Sequence, residues 1–186
     1  APEQVAEALF NRGVTRSRQG DTAGAIADCT TVIDLEDVEP ELRGLALLSR
    51  ASVQANVGQL HEAFGDSIVV GEKPSYPLPL RTAAIVTATM ATGSDERRLG
   101  RVLSTVQTLV GSLDPEQRQQ SIVEILSLLS SPGAASVWPQ VWRAMRGSMP
   151  TDVATSMGFL DAVAAVLEGH ERSVLDPLPP EQREFA

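Results

Sequence analysis

Residues 8–35 read ALFNRGVTRSRQGDTAGAIADCTTVIDL, and this stretch decides the fold because much of it returns 38 residues later. Ala8-Leu9 aligns with Ala46-Leu47, Arg12 with Arg50, Gly20 with Gly58, Ala25 with Ala63, Asp28 with Asp66 and Val32 with Val70; just upstream, Pro2-Glu3 aligns with Pro40-Glu41. Identities spread across a whole supersecondary unit mark an internal repeat, which fixes the architecture before any single element is considered. Within the unit, Ala6, Leu9, Gly13 and Val14 form one apolar stripe at helical spacing, broken at Gly20-Asp21. Ala25, Ile26, Cys29, Val32 and Ile33 form a second, so the unit is a helical hairpin.

The second copy has Leu45, Leu47, Leu48, Ala51, Val53 and Ala55 on its first helix, and Ala63, Phe64, Ile68 and Val69 on its return across Gly58-Gln59. A third is fainter: Leu42-Arg43 recurs as Leu80-Arg81, and Arg81 as Arg118 within Pro115-Glu116-Gln117-Arg118. The same opening returns at Pro180-Glu181-Gln182-Arg183. Proline is tolerated in a first helical turn and a following glutamate favours the positive end of the helix dipole, so these are helix openings. The third unit runs over 80–91, turns at Thr92-Gly93-Ser94-Asp95 and returns over 99–110. A fourth pair is expected over 116–129 and 134–145, and Thr151-Asp152 caps a ninth helix ending near Leu167. No strand candidate survives. Pro177, Pro179 and Pro180 make 173–180 extended ahead of a helix from Glu181. The expected fold is therefore all-α, a right-handed α-solenoid of about nine helices. It divides into repeats at about 1–38, 39–76 and 77–113, with 114–186 adding a hairpin, a capping helix and a proline-rich tail to the same solenoid.

Composition narrows the chemistry. At 186 residues and 19.8 kDa the chain buries roughly 70% of its unfolded surface without covalent staples. A formal charge of −9 and a pI near 4.7 argue against nucleic acid or an anionic membrane as the main partner. One cysteine and two histidines cannot build a cysteine/histidine zinc site, and no cofactor or metal is expected. No apolar run reaches membrane-spanning length. Lys73 is the sole lysine, so nearly every positive charge is a planar guanidinium.

These repeats resemble the tetratricopeptide repeat, in its bacterial tandem form, widened to about 38 residues by a longer linker. Leu9, Gly13, Gly20, Ala25 and Ile33, then Leu47, Ala51, Gly58 and Ala63, occupy the family's packing positions. Arg16, Cys29 and Asp37 depart from it, as does Arg98, which stands where the family has alanine in the third unit. The resemblance implies a non-catalytic scaffold that binds a partner protein or peptide in a groove lined by the first helix of each unit. Carried over position by position, the groove residues are Phe10, Asn11, Val14, Ser17 and Arg18; Leu48, Ser49, Ser52, Ala55 and Asn56; and Ala84, Thr87, Met90 and Ala91. Asn11 can donate and accept against an extended backbone, and Arg18 can grip a carboxylate. The chaperone-binding subtype does not fit, since Phe10 and Val14 stand where it needs lysine and asparagine. Phe10 has the alternative of contacting a neighbouring repeat.

Trp138 and Trp142, one helical turn apart with Arg143 and Arg146 beside them, are either a second interface, as aromatic and arginine hot spots often are, or core. Pro139 either opens that helix or kinks it. Cys29, on an apolar stripe, is expected in the core; His61 and His170 are expected to be structural or solvated. Glu96, Arg97, Arg98 and Arg101 read as a solvated, internally paired face. No nucleophile, base and orienting group assemble in the sequence, so an enzyme is not expected. The expected role is a cytoplasmic interaction scaffold within a larger protein; the alternative is a regulatory or sensor solenoid attached to an enzymatic domain such as a nucleotide-dependent switch or a protease.

Overall fold

The computed structural model describes residues 2–126, 137–147, 161, 164 and 165, and every regular element among them is helical. In chain order these are α1 (Pro2–Arg18), α2 (Thr22–Asp34), α3 (Pro40–Asn56), α4 (Leu60–Glu72), α5 (Leu78–Met90), α6 (Glu96–Ser112), α7 (Pro115–Leu126) and α8 (Trp138–Arg146). The described residues thus give eight helices where about nine were expected. The ninth, at 151–167, lies outside them apart from the helical residues Asp161, Ala164 and Ala165, and so do the 173–180 segment, His170 and the helix from Glu181.

Local chemistry sets the boundaries. Pro40 and Pro115 stand at the first position of their helices, and Pro79 and Pro139 at the second, where a missing N–H costs no internal hydrogen bond. Pro139 therefore opens α8 rather than kinking it. Asp21 caps α2 by accepting from the Gly24 N–H, and Asp114 accepts from the Gln117 N–H at the start of α7. Asp95 accepts from the N–H groups of both Arg97 and Arg98, which holds its carboxyl below the usual carboxylate range. Gly20 and Gly58 end α1 and α3 at φ of +84° and +80°, a left-handed conformation that a side chain would strain.

The chain divides into two compact units, Ala1–Leu99 and Gly100–Ala186. In the first, each helix from α1 to α5 packs on the next, and the odd helices also meet side by side, α1 with α3 and α3 with α5. Ala6, Val32, Val38 and Ala46 form one core cluster, with Leu9, Phe10, Ile33, Leu35 and Leu42 against it. Leu47, Val70, Tyr76, Leu80 and Ala84 form a second, supported by Ile33 and Leu48. Gly44 allows the closest approach here: a Cβ on it would lie 2.8 Å from Tyr76 Cε1 and 2.9 Å from Leu80 Cδ2.

A recurring arginine reaches back to the preceding helix. Arg43 donates to the carbonyls of Leu35 and Glu36 past the end of α2, at 2.6 and 3.2 Å. Arg81 donates to the Gly71 carbonyl in the last turn of α4 at 3.2 Å. In the second unit Arg118, buried, donates to the carbonyls of Val110 and Leu113 at the end of α6, at 3.3 and 2.6 Å. These are the arginines whose spacing of 38 and 37 residues marks the fainter repeats, and the contact explains the spacing. A helix leaves its last carbonyls without internal donors, and a guanidinium supplies several at once. The core of the second unit includes Val102, Val106, Leu109, Ile125, Val141, Met145 and the two tryptophans.

Candidate functional site

The site is built on one electrostatic clasp, made twice. In α1–α2, Arg12 Nε and Nη2 donate to the Asp28 carboxylate at 2.9 and 2.7 Å, and in α3–α4 Arg50 Nε and Nη2 donate to Asp66 at 2.7 and 2.9 Å. A bidentate pair constrains rotation as well as distance, and both hairpins carry this constraint at equivalent positions. Arg16 joins Asp28 at 3.0 Å. The Arg12 guanidinium holds the buried Asp28 carboxyl below its ordinary range, against the opposing effect of burial.

With both hairpins clasped alike, side chains one repeat apart hold equivalent positions. Asn11, Val14 and Arg18 of α1 match Ser49, Ser52 and Asn56 of α3, while Phe10 matches Leu48. Asn11, Arg18, Ser52 and Asn56 are exposed; Val14, Ser17, Ser49 and Ala55 are half-buried. Phe10 packs against the cluster containing Ala46 of α3, and Leu48 against the cluster containing Ala84 of α5, so each is partly a contact with the next helix pair. Ser49 turns its hydroxyl to the Cys29 thiol, which is itself fully buried and pushed up by burial. Arg18 makes no ion pair among the described residues. Exposed Leu45, which corresponds to Glu7, was not anticipated from the sequence.

The first helix of the third unit, α5, requires a correction. Thr87 is buried, with its hydroxyl donating to the Ala83 carbonyl, and Ala84 and Ala91 are fully buried, so none of the three presents a surface. Met90 is exposed as expected. The remaining exposed or half-exposed positions on that face of α5 are Ala83 and Val86, one residue before those carried over from the family pattern. The 38-residue shift runs Phe10, Leu48, Val86 and Val14, Ser52, Met90, but it also runs Asn11, Ser49 and the buried Thr87, so it does not by itself separate exposed from buried positions.

Trp138 and Trp142 are fully buried, their rings stacked with centroids 6.4 Å apart, and Trp142 Nε1 donates to Asp161 at 2.8 Å. They belong to the core and not to a second interface. Arg146 pairs with the same Asp161 at 3.0 Å. Apolar burial of indoles with one N–H partner is the reason this pair reads as a hot spot in sequence while offering no surface. Arg98 lies over the Phe64 ring at 5.7 Å, donates to the Ala91 carbonyl and reaches His61 Nδ1 at 3.1 Å, which accounts for that histidine. Among the described residues there is no cluster of three or more His, Cys, Asp or Glu side chains suited to a metal, and no helix is long and apolar enough to cross a membrane. Comparison of the chain with family models, with curated proteins and with solved structures returned no match.

Proposed function

We propose that this chain is a tetratricopeptide-like α-solenoid acting as a non-catalytic, cytoplasmic interaction scaffold, its helices α1, α3 and α5 together taking up a segment of a partner protein. The observation that carries the reading is the repeated arginine–aspartate clasp, found at equivalent positions of α1–α2 and α3–α4, with Asn11, Val14 and Arg18 of α1 at the positions that Ser49, Ser52 and Asn56 hold in α3. The row Phe10, Leu48, Val86 and Val14, Ser52, Met90, at least partly exposed on each helix, suits a ligand that crosses them, because each helix then offers a contact at a fixed interval. Helices in contact lie about 10 Å apart, so a row across α1, α3 and α5 spans about 20 Å, or about six residues of extended chain. Half-exposed Phe10, Leu48 and Val86 supply apolar contact; Asn11 and Asn56 supply backbone hydrogen bonds, and Arg18 is available to a carboxylate.

The test is affinity capture from the native host lysate with the parent chain and with the Asn11→Ala/Arg18→Ala variant, read by mass spectrometry and followed by titration of the recombinant candidate. A protein retained by the parent and lost from the variant supports the reading. Equal retention by both removes the binding face from the odd-numbered helices.

A further inference from the structure

We infer, resting on the binding face proposed above, that the partner segment crossing α1, α3 and α5 is an extended stretch with lysine or arginine over α1 and the start of α3 and aliphatic side chains over α5. The row changes character from one helix to the next. At one level it runs Glu7, Leu45, Ala83, and a turn earlier Glu3, Glu41, Pro79, all six exposed. None of the three glutamates makes an ion pair among the described residues. Glu3 and Glu41 also serve the dipoles of their own helices; Glu7, in the second turn of α1, does not.

The arginines of these helices do not neutralise this acidic edge. Arg43 and Arg81 donate to helix-end carbonyls, and Arg12, Arg16 and Arg50 are held by aspartates. Arg18 lies about 16 Å further along α1 than Glu7, twice the screening length of about 8 Å at physiological salt. On α5 the case is the opposite. Arg81 is its one charged residue, and with that guanidinium on the Gly71 carbonyl, exposed Ala83 and Met90 and half-buried Val86 leave a face without charge. Leu45 and Met90 are 38% and 40% exposed, so apolar surface is left open from α3 onward. A basic side chain gains at the acidic edge, whereas an acidic one is repelled there and loses its hydration against α5. A second copy of this chain does not fit, since its own face brings the same glutamates and its formal charge is −9.

The probe is a labelled peptide, capped at both ends, in which serines alternate with contact residues, the latter being two lysines followed by three valines; the reverse sequence is tested with it. Alternation puts every contact residue on one side of an extended chain. Each peptide is titrated by fluorescence anisotropy into the full chain. Saturable binding by one of the two orders is expected, weakened about tenfold by Glu7→Lys/Glu41→Lys and by a similar factor when glutamates replace the peptide's lysines. Pairing that variant with the glutamate peptide restores most of the lost affinity, which a folding defect cannot do. Serine in place of the valines weakens binding several-fold, as does Met90→Ser in the chain. Glu7 and Glu41 are exposed, and an unchanged circular-dichroism melt certifies the double variant; Glu7→Lys alone serves if the melt changes. Absence of saturable binding by either order up to about 1 mM overturns the inference, as does equal binding of the lysine and glutamate peptides or indifference to loss of the valines. The binding face itself survives such a result if the captured partner is still lost from Asn11→Ala/Arg18→Ala, and falls if that partner is retained equally. A dimer in sedimentation that Met90→Ser dissociates also overturns the inference, by giving the face to a second copy of this chain.

Discussion

Arg50 and Asp66, sixteen residues apart, are joined by two parallel hydrogen bonds of 2.7 and 2.9 Å, in the place within their hairpin where Arg12 and Asp28 are joined by the same two. The pair is an angular constraint as much as an attraction. Its Arg50 end is largely withdrawn from water, with the side chain 19% exposed, so removing it strands a carboxylate in partly buried surroundings. Arg50→Met is expected to lower stability by about 2 kcal/mol, read from urea unfolding of the full chain.

Asp28 gives the pH dependence. Its carboxyl is held below the ordinary range chiefly by the hydrogen bonds from Arg12, so the folded state binds a proton less readily than the unfolded state. The resulting stabilisation is present above about pH 4, the ordinary aspartate value, and is lost as pH falls through it toward the lower folded value. The urea midpoint of Asp28→Asn should fall short of the parent at pH 7, and the gap should close progressively between pH 5 and pH 3 or so. A constant gap would mean that the carboxylate charge contributes nothing.

Two glycines on neighbouring helices should respond with opposite sign. Gly44→Ala places a methyl group against the Tyr76 ring and Leu80 at distances real contacts do not reach, and should cost about 1–3 kcal/mol. Gly65, inside α4, has open space where its Cβ would be, so Gly65→Ala should raise stability by up to about 1 kcal/mol through helix propensity alone. Thermal melts of both variants check the sign.

The burial of Trp138 and Trp142 predicts blue-shifted emission and weak quenching by acrylamide for the parent chain. Trp142→Phe keeps most of the apolar contact and loses the hydrogen bond to Asp161, at a cost of about 1 kcal/mol. Strong quenching in the parent would return the pair to the surface.

The helical hairpins were legible because their signals are local and redundant: stripes such as Ala25, Cys29 and Val32 coincide with the turn glycines Gly20 and Gly58, and a 38-residue identity confirms both. Pro115 marked a helix start for the same reason, whereas Pro139 left opening and kinking both open within a helix expected over 134–145, and it is the structure that puts it in the first turn of α8. Exposure was less legible. Thr87 and Met90 sit one turn apart on α5, yet one is buried and the other open, a difference set by α4 and α3 packing on that helix and not by anything in its own sequence. The clasp partners Arg12 and Asp28 were visible as repeated identities, but their pairing needed the third dimension, since 16 residues and a turn separate them. The indole pair shows the converse, where residue types typical of interfaces also suit a small core.

Arg43, Arg81 and Arg118 each satisfy carbonyls in the last turn of the preceding helix or just past its end, which gives the chain a direction. A helix end completed in this way leans on its C-terminal neighbour and not on its N-terminal one. Cutting between segments is therefore asymmetric: truncation after residue 76 deprives α4 of the donor at its Gly71 carbonyl and should fray the new terminus from within, while removal of a leading segment withdraws no such donor from the remainder. Hydrogen exchange at the last turn of α4, compared before and after truncation, would register this one-way dependence.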